Sequence, residues 1–441
     1  MMNDNCVNSK HQNNFLSKNL LQRFSQALSI PDTNEFDEKV CNLVRQTEKL
    51  TIIFQVVRSG LDQTNIPTLN TFGYRRLKLI DWIITLTSLA NLLRLVILIF
   101  NADEPLAFYL GDPLFRSKGR LPCLTWVSIG IIISVLVREF ILYLEATGTF
   151  DVLSIWKACR DGFNQDNLRM NNRNIKRFRL SVYLISLNFH NVMIGIPIFL
   201  LILFFTPLLT NPWTYKVPRL AFFGSFWSIT LVWQSIYLFD SVIGFAWYIL
   251  CALAFHLFQL FDLLDSADLL LNKTEKMLCT DKEIQSFCLL IIRRLNSFEL
   301  ASRKLRYILL VYVLVYSFMG DVYIFLGVIV RVYSDFLANL IAIIGIFILP
   351  LLGFFGLVFG NCITKLDKLM IRLHQLTLKR KLSRSTMSKI WEIMDRVAGP
   401  YNGVKVGDFL TLEKTFFILF ILENISTLML FTVNIGPLIE Q

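Results

Sequence analysis

Few residues in this chain could do chemistry, and most of them are scattered. The eight cysteines, at 6, 41, 123, 159, 251, 279, 288 and 362, include no CxxC pair or other metal spacing, and no disulfide framework is expected. The four histidines, at 11, 190, 256 and 374, form neither an HExxH nor a His-x-x-x-His pair. No His, Cys or carboxylate cluster has catalytic spacing, so the chain reads as a non-enzyme with no metal and no cofactor. Its chemistry lies in polar groups set inside apolar runs. The run 415–435 is long enough to cross a bilayer, yet it carries Glu423, Asn424, Thr427 and Asn434, which lipid penalises. At about 100° per residue, Phe420, Glu423, Asn424, Thr427, Phe431, Asn434 and Ile435 share roughly a third of the helix circumference. The opposite side is Ile, Leu, Met and Val. Such a stripe must meet protein or water. From periodicity alone it serves equally well for packing inside one chain or for lining a wet path.

Composition sets the frame for that stripe. The 441 residues are 54% hydrophobic and 17% charged, with a mean hydropathy of +0.53, which places the chain among multi-pass membrane proteins. The 38 phenylalanines point to aromatic-rich helix packing. The net charge of +11 has no nucleic-acid-binding pattern behind it and reads as basic loops beside anionic lipid. The N-terminal residues lack an apolar core and cleavage site, so no signal peptide is expected.

Residues 1–78 form a polar N-terminal region. Phe15, Leu16, Leu20, Leu21, Phe24 and Leu28 share a helical face there, and a second helix is expected from Asn34 to about Arg58. The first spans are expected at 79–100, containing Asp81 and Arg94, at 122–144, ending on Arg138-Glu139, and at 180–206, with a kinking Pro197. A fourth apolar run from Ala221 to about Leu264 is twice the length a bilayer needs, so it should continue into a protein layer near 259–306. Thr280-x-x-Glu283 reads as a capping box for the helix leading into the fifth span, 307–330. The sixth span is 336–360, with Pro350 inside it. A basic segment, 361–411, follows and has helical periodicity up to Gly399-Pro400 and a turn at Asn402-Gly403. The seventh span occupies 412–436.

Basic residues give the orientation. The segments 1–78, 145–179, 263–306 and 361–411 hold 35 Lys and Arg, and the alternate loops hold six. That bias puts the N-terminus in the cytoplasm and the C-terminus outside. It excludes a G-protein-coupled receptor, despite the Asp395-Arg396-Val397 tripeptide. It also leaves the Asn272 and Asn424 sequons unused.

Seven spans in this orientation, long fourth and sixth helices, and the tail together resemble the arthropod gustatory receptor family, related to the odorant receptors. That family's tail runs Thr-Tyr, five hydrophobic residues, then Gln-Phe. Here Thr427-Leu428, Met429–Val433 and Asn434-Ile435 occupy the pattern, retaining Thr and replacing Gln with Asn. The run Gly403–Leu412 is similar to the approach to the last helix in these receptors. The resemblance covers the whole chain in architecture and residues 399–436 in sequence.

The resemblance implies a ligand-gated, non-selective cation channel for small-molecule tastants, in the plasma membrane of chemosensory neurons. Four like or unlike receptor subunits would form a tetramer around a pore lined by the seventh helices, held by a cytoplasmic anchor. Asn424, Thr427, Phe431, Asn434 and Ile435 would then form the pore and gate, with Glu423 either facing ions or pairing with a Lys or Arg. A ligand pocket in the outer half would draw on Asn191, Trp227, Gln234, Tyr237, Asp240, Tyr316, Asp321 and Tyr323, aromatic walls with a few polar groups. Interhelical hydrogen bonding is the competing reading for each of these, and His190 reads as a core histidine. Asp321 is the most pointed, since a carboxylate at that depth needs a partner or a polar ligand. An odorant receptor subunit or a transporter are the alternatives. Against a transporter stand the odd helix count and the lack of a repeated half.

Overall fold

The computed structural model describes residues 33–56, 74–101, 103–117, 119–147, 153, 159, 162–276, 279–331, 334–379, 381–399, 403–408, 410–413 and 415–434. The amphipathic face at 15–28 lies outside them, as does Ile435. The described chain is all-α apart from one two-stranded hairpin. In order the helices are α1 (Thr33–Ile53), α2 (Tyr74–Phe100), α3 (Glu104–Tyr109), α4 (Arg120–Ala146), α5 (Gln165–Leu168), α6 (Asn172–Thr210), α7 (Pro212–Lys216), α8 (Pro218–Glu275), α9 (Asp281–Ile324), α10 (Asp335–Lys379), α11 (Arg384–Ala398) and α12 (Phe416–Asn434). A π-helical turn, Phe325–Val330, extends α9. Strands β1 (Lys405–Val406) and β2 (Leu410–Thr411) pair antiparallel just before α12.

Among the described residues seven helices, α2, α4, α6, α8, α9, α10 and α12, are long and apolar enough to cross a membrane. They fall at the seven expected places, so this is a multi-pass membrane protein by helix length and composition. The long fourth helix is real. At 1.5 Å per residue the 58 residues of α8 reach roughly 87 Å, about three times the hydrocarbon thickness. α9 and α10 are likewise longer than a span, with 44 and 45 residues. Pro197 sits inside α6, which runs on through it to Thr210.

The capping box at the start of α9 is formed as expected. The Thr280 hydroxyl accepts from the Glu283 amide at 3.3 Å, and the Thr280 amide donates to the Glu283 carboxylate at 2.9 Å. The basic segment 361–411 divides between the end of α10, the whole of α11 and the hairpin. Arg396 of the Asp395-Arg396-Val397 tripeptide pairs with Glu299 on α9, which gives that residue an ordinary packing role.

Two apolar cores result. The larger gathers α1, the start of α6, the second half of α8, the first half of α9, the end of α10, α11 and the hairpin. Phe178 lies at its centre, fully buried and ringed by Phe163, Phe255 and Phe258 at about 6 Å. Its buried ion pair joins Arg294 to Asp262 at 2.9 Å, and Asp262 also accepts from the Asn171 amide at 2.8 Å. Burial pushes the Cys159 thiol of this region well above its ordinary range, which keeps it unreactive. The smaller core lies at the other end of the bundle. It joins the end of α2, the start of α4, the end of α9 and the segment around Phe115 to Phe431 of α12.

Polar side chains inside the bundle find one another. Arg138 at the end of α4 pairs with Asp81 at the start of α2. Arg94 donates to the carbonyls of Leu110 and Gly111, both at 2.7 Å, and so satisfies orphan acceptors just past α3. Gly111 (φ +60) lies against the backbone of Phe223 and Gly224, where a Cβ would come within 2.3 Å of the Gly224 amide nitrogen.

Candidate functional site

The stripe on α12 divides when it meets its neighbours. Phe416, Phe420, Asn424 and Phe431 are buried, and at about 100° per residue they occupy a quarter of the circumference. Two glycines of α10 let this face come close: a Cβ at Gly353 would meet the Phe417 ring at 2.7 Å, and one at Gly356 the Phe416 ring at 2.3 Å. Asn424 accepts a hydrogen bond from the Ser317 hydroxyl of α9 at 2.8 Å and donates to the Phe420 carbonyl at 2.6 Å. Phe431 sits among Phe318, Phe325 and Trp126, with ring centroids 5.7–6.3 Å apart. Asn424 and Phe431 are thus engaged within the chain.

The other members of the stripe border an open arc. Thr427 is half-buried and donates to the Glu423 carbonyl at 3.0 Å. Glu423 and Asn434 are exposed. Ile418, Leu419, Leu422, Met429, Leu430 and Val433 continue this exposed surface round the helix. A shallow apolar groove of about 380 Å³ runs along it, lined by Ile425, Leu428, Met429, Thr432 and Val433.

The eight residues expected at a ligand pocket are spread over several interfaces. Trp227 and Gln234 of α8 face α2: the Arg94 guanidinium lies 5.2 Å from the Trp227 ring, and Asn91 donates to Gln234 at 2.8 Å. The Thr230 hydroxyl completes that junction by donating to Asn91 at 3.3 Å. Tyr237 meets Trp233 and, from the end of α1, Phe54. Asp240 is fully buried, and neither of its carboxylate oxygens has a hydrogen-bond partner among the described residues. Asn191 is exposed on α6. His190 is half-buried, and its Nδ1 has no partner among the described residues.

On α9 the expected residues point two ways. Tyr316 lies against Tyr312 with the rings tilted and their centroids 5.5 Å apart, and Tyr312 donates to the Val242 carbonyl of α8 at 2.6 Å; Tyr323 lies two turns beyond Tyr316, on the same edge. Asp321 lies roughly 140° round the helix from Tyr316, one turn past Ser317, at the seam with α12. Residues that sequence reasoning missed are Asn91, Ser317 and Thr230, each partnering an expected site residue, while Arg94 was noted in its span but not placed beside Trp227. A polar side chain inside an apolar run was the signal available for the three missed residues.

No protein-family model matches this chain, and no curated protein matches it.

Proposed function

We propose that the chain is a subunit of a ligand-gated, non-selective cation channel of the gustatory-receptor kind, opened by a small-molecule tastant. The observation that carries this reading is the uneven burial of α12. Its inner quarter is anchored on α9 and α10, while Glu423 and Asn434 stand at the edge of an exposed arc. Polar groups on an exposed arc of a membrane helix are costly against lipid and suit a water-filled axis between subunits. In this reading four α12 helices surround the pore. Asn434, with Ile435 beyond it, hydrates the passing ion, Thr427 flanks it, and Leu430 contributes an apolar ring that dewets when closed. Asn424 and Phe431 act from behind, holding α12 against α9 and the smaller core.

The excess of basic residues on one set of loops supports a cytoplasmic N-terminus and an outside C-terminus. The larger core, built around the long extensions of α8, α9 and α10, becomes the cytoplasmic anchor between subunits. The tastant would bind toward the outer half, where aromatic residues of α8 and α9 meet buried polar groups. The plasma membrane of a chemosensory neuron is the matching location.

The test is expression in a non-neuronal cell, alone and with candidate partner subunits, with current recorded against a tastant panel. The expected result is a ligand-evoked cation current whose ion selectivity changes in Asn434→Ala. A surface-resident protein that conducts nothing with any ligand or partner contradicts the proposal. An epitope at Gln441 tests the orientation separately: staining of intact cells is expected, and staining only after permeabilisation overturns it.

A further inference from the structure

Four arginines are buried among the described residues: Arg94, Arg138, Arg179 and Arg294. Three of them are paired with a carboxylate, Arg138 with Asp81, Arg179 with Asp37 and Arg294 with Asp262. Arg94 is not. It is 2% exposed and lies on α2 six residues before the helix ends, about 9 Å along the axis, so its charge stands inside a membrane span. Two of its five N–H donors, at Nε and Nη2, are held by the Leu110 and Gly111 carbonyls, both at 2.7 Å. Its Nη1 has no hydrogen-bond partner among the described residues. The Trp227 ring of α8 lies 5.2 Å from the guanidinium carbon, and the next residues on the same side of α2, Leu95 and Leu98, belong to the smaller apolar core.

The carboxylates of the adjoining segment are committed elsewhere. Asp112 follows Gly111 directly, yet it accepts from the Leu114 amide at 3.0 Å and pairs with Arg120. Arg120 also donates to the Leu98 carbonyl at 3.0 Å, one turn beyond Arg94. Glu104 pairs with Arg116. Asp240 has no partner among the described residues, but it lies thirteen residues along α8 from Trp227, about 20 Å away. Arg94 and Arg120 therefore share the one carboxylate of Asp112, and a positive charge is left over. A buried carboxyl group in that position can take up a proton, whereas a guanidinium keeps its charge. Two carbonyl dipoles satisfy hydrogen bonds without cancelling that charge, and an unpaired charge at this depth is strongly unfavourable. The edge left free, Nη1 with the outer N–H of Nη2, is the fork that grips an anion.

We propose that Arg94 holds a small monovalent anion, a halide or the carboxylate of a small organic molecule, where α2, the turn after α3 and α8 meet. The guanidinium supplies the charge and the donors, the Leu110 and Gly111 carbonyls fix its orientation, and the Trp227 ring forms one wall. Gly111 lets the turn lie directly on the α8 backbone at Phe223 and Gly224, so the three elements are already in contact around the site. The anion ties them together and stabilises the folded chain by mass action. The inference rests on the unpaired buried charge and is independent of the channel reading.

The test is the thermal unfolding midpoint of the purified full-length protein in an uncharged detergent, at constant ionic strength. Sodium chloride or sodium benzoate replaces sodium isethionate, a bulkier reference salt. A saturable rise of several degrees in chloride, with or without one in benzoate, identifies a halide site; a rise in benzoate alone identifies a site for an organic carboxylate. Arg94→Gln removes the charge while keeping a donor for one of the two carbonyls, and it should lose the rise. A wild-type midpoint identical in all three salts, or an equal rise in Arg94→Gln, overturns the proposal. If Arg94→Gln does not give monodisperse protein, the isosteric Asp112→Asn takes its place. Withdrawing that neighbouring negative charge should lower the anion concentration for half the rise about tenfold. An unchanged concentration overturns the site.

Discussion

Both α8 and α12 are apolar enough to cross a bilayer, yet 72% of the most apolar stretch of α8 is buried within the chain and only 22% of that of α12. α8 has neighbours on nearly every side, so its apolar residues form a core of the kind found in soluble domains. α12 has neighbours along one narrow face, and lipid or another protein must cover the rest. The same hydrophobicity thus serves opposite ends: one helix organises the fold of the chain, and the other presents a surface. A shallow groove and the exposed Glu423, Ser426, Thr432 and Asn434 lie on that surface.

This contrast makes substitutions graded. The largest effect is expected at the buried pair under α8: Arg294→Ala strands Asp262 and should cost about 3–5 kcal/mol, seen as a large drop in the thermal unfolding midpoint of the purified protein. A near-wild-type midpoint would mean that the larger core does not govern stability. Next comes the packed face of α12. Gly356→Leu pushes a side chain into the Phe416 ring and should cost about 1–3 kcal/mol in the same melt. Thr280→Ala removes the α9 capping box and should cost about 1 kcal/mol, with faster amide exchange confined to the first turn of that helix. The smallest effect is expected at Leu422→Ala on the exposed arc, within about 0.5 kcal/mol in the same melt. A larger cost there would show that the arc is already covered and would erase the contrast.

Much of this fold was legible because it rests on periodicity and length. Seven apolar runs, the excess length of the fourth, and the capping box all follow from local rules that do not depend on what packs where. The first half of α9 was readable from Phe287, Leu290, Ile291, Leu295 and Phe298, of which all but Leu290 are buried. The hairpin before α12 was not readable. Its strands have two residues each, too few for an alternating pattern, and they are fixed by Ser302, whose hydroxyl donates to the Gly403 carbonyl at 3.2 Å and accepts from the Lys405 amide at 3.1 Å.

The candidate site was legible in part. Periodicity placed Asn424 and Asn434 on one stripe 80° apart, and only the packing of α9 and α10 could draw a line between them. Likewise, apolar context singled out Trp227 and Gln234 as unusual, but their partners come from α2. Contacts between residues more than a hundred positions apart have no local signature.

The central claim is that the exposed arc of α12 faces water at a subunit axis. The most direct measurement places single cysteines at Leu419, Leu430, Val433 and Asn434 and follows current while a charged, membrane-impermeant thiol reagent is applied from outside. Rapid modification of Asn434→Cys with block of the ligand-evoked current, slower modification at Leu430→Cys and none at Leu419→Cys is the pattern expected of a pore entered from that end. Uniform protection of all four positions, with current unaffected, is the pattern of a helix facing lipid and would contradict the account.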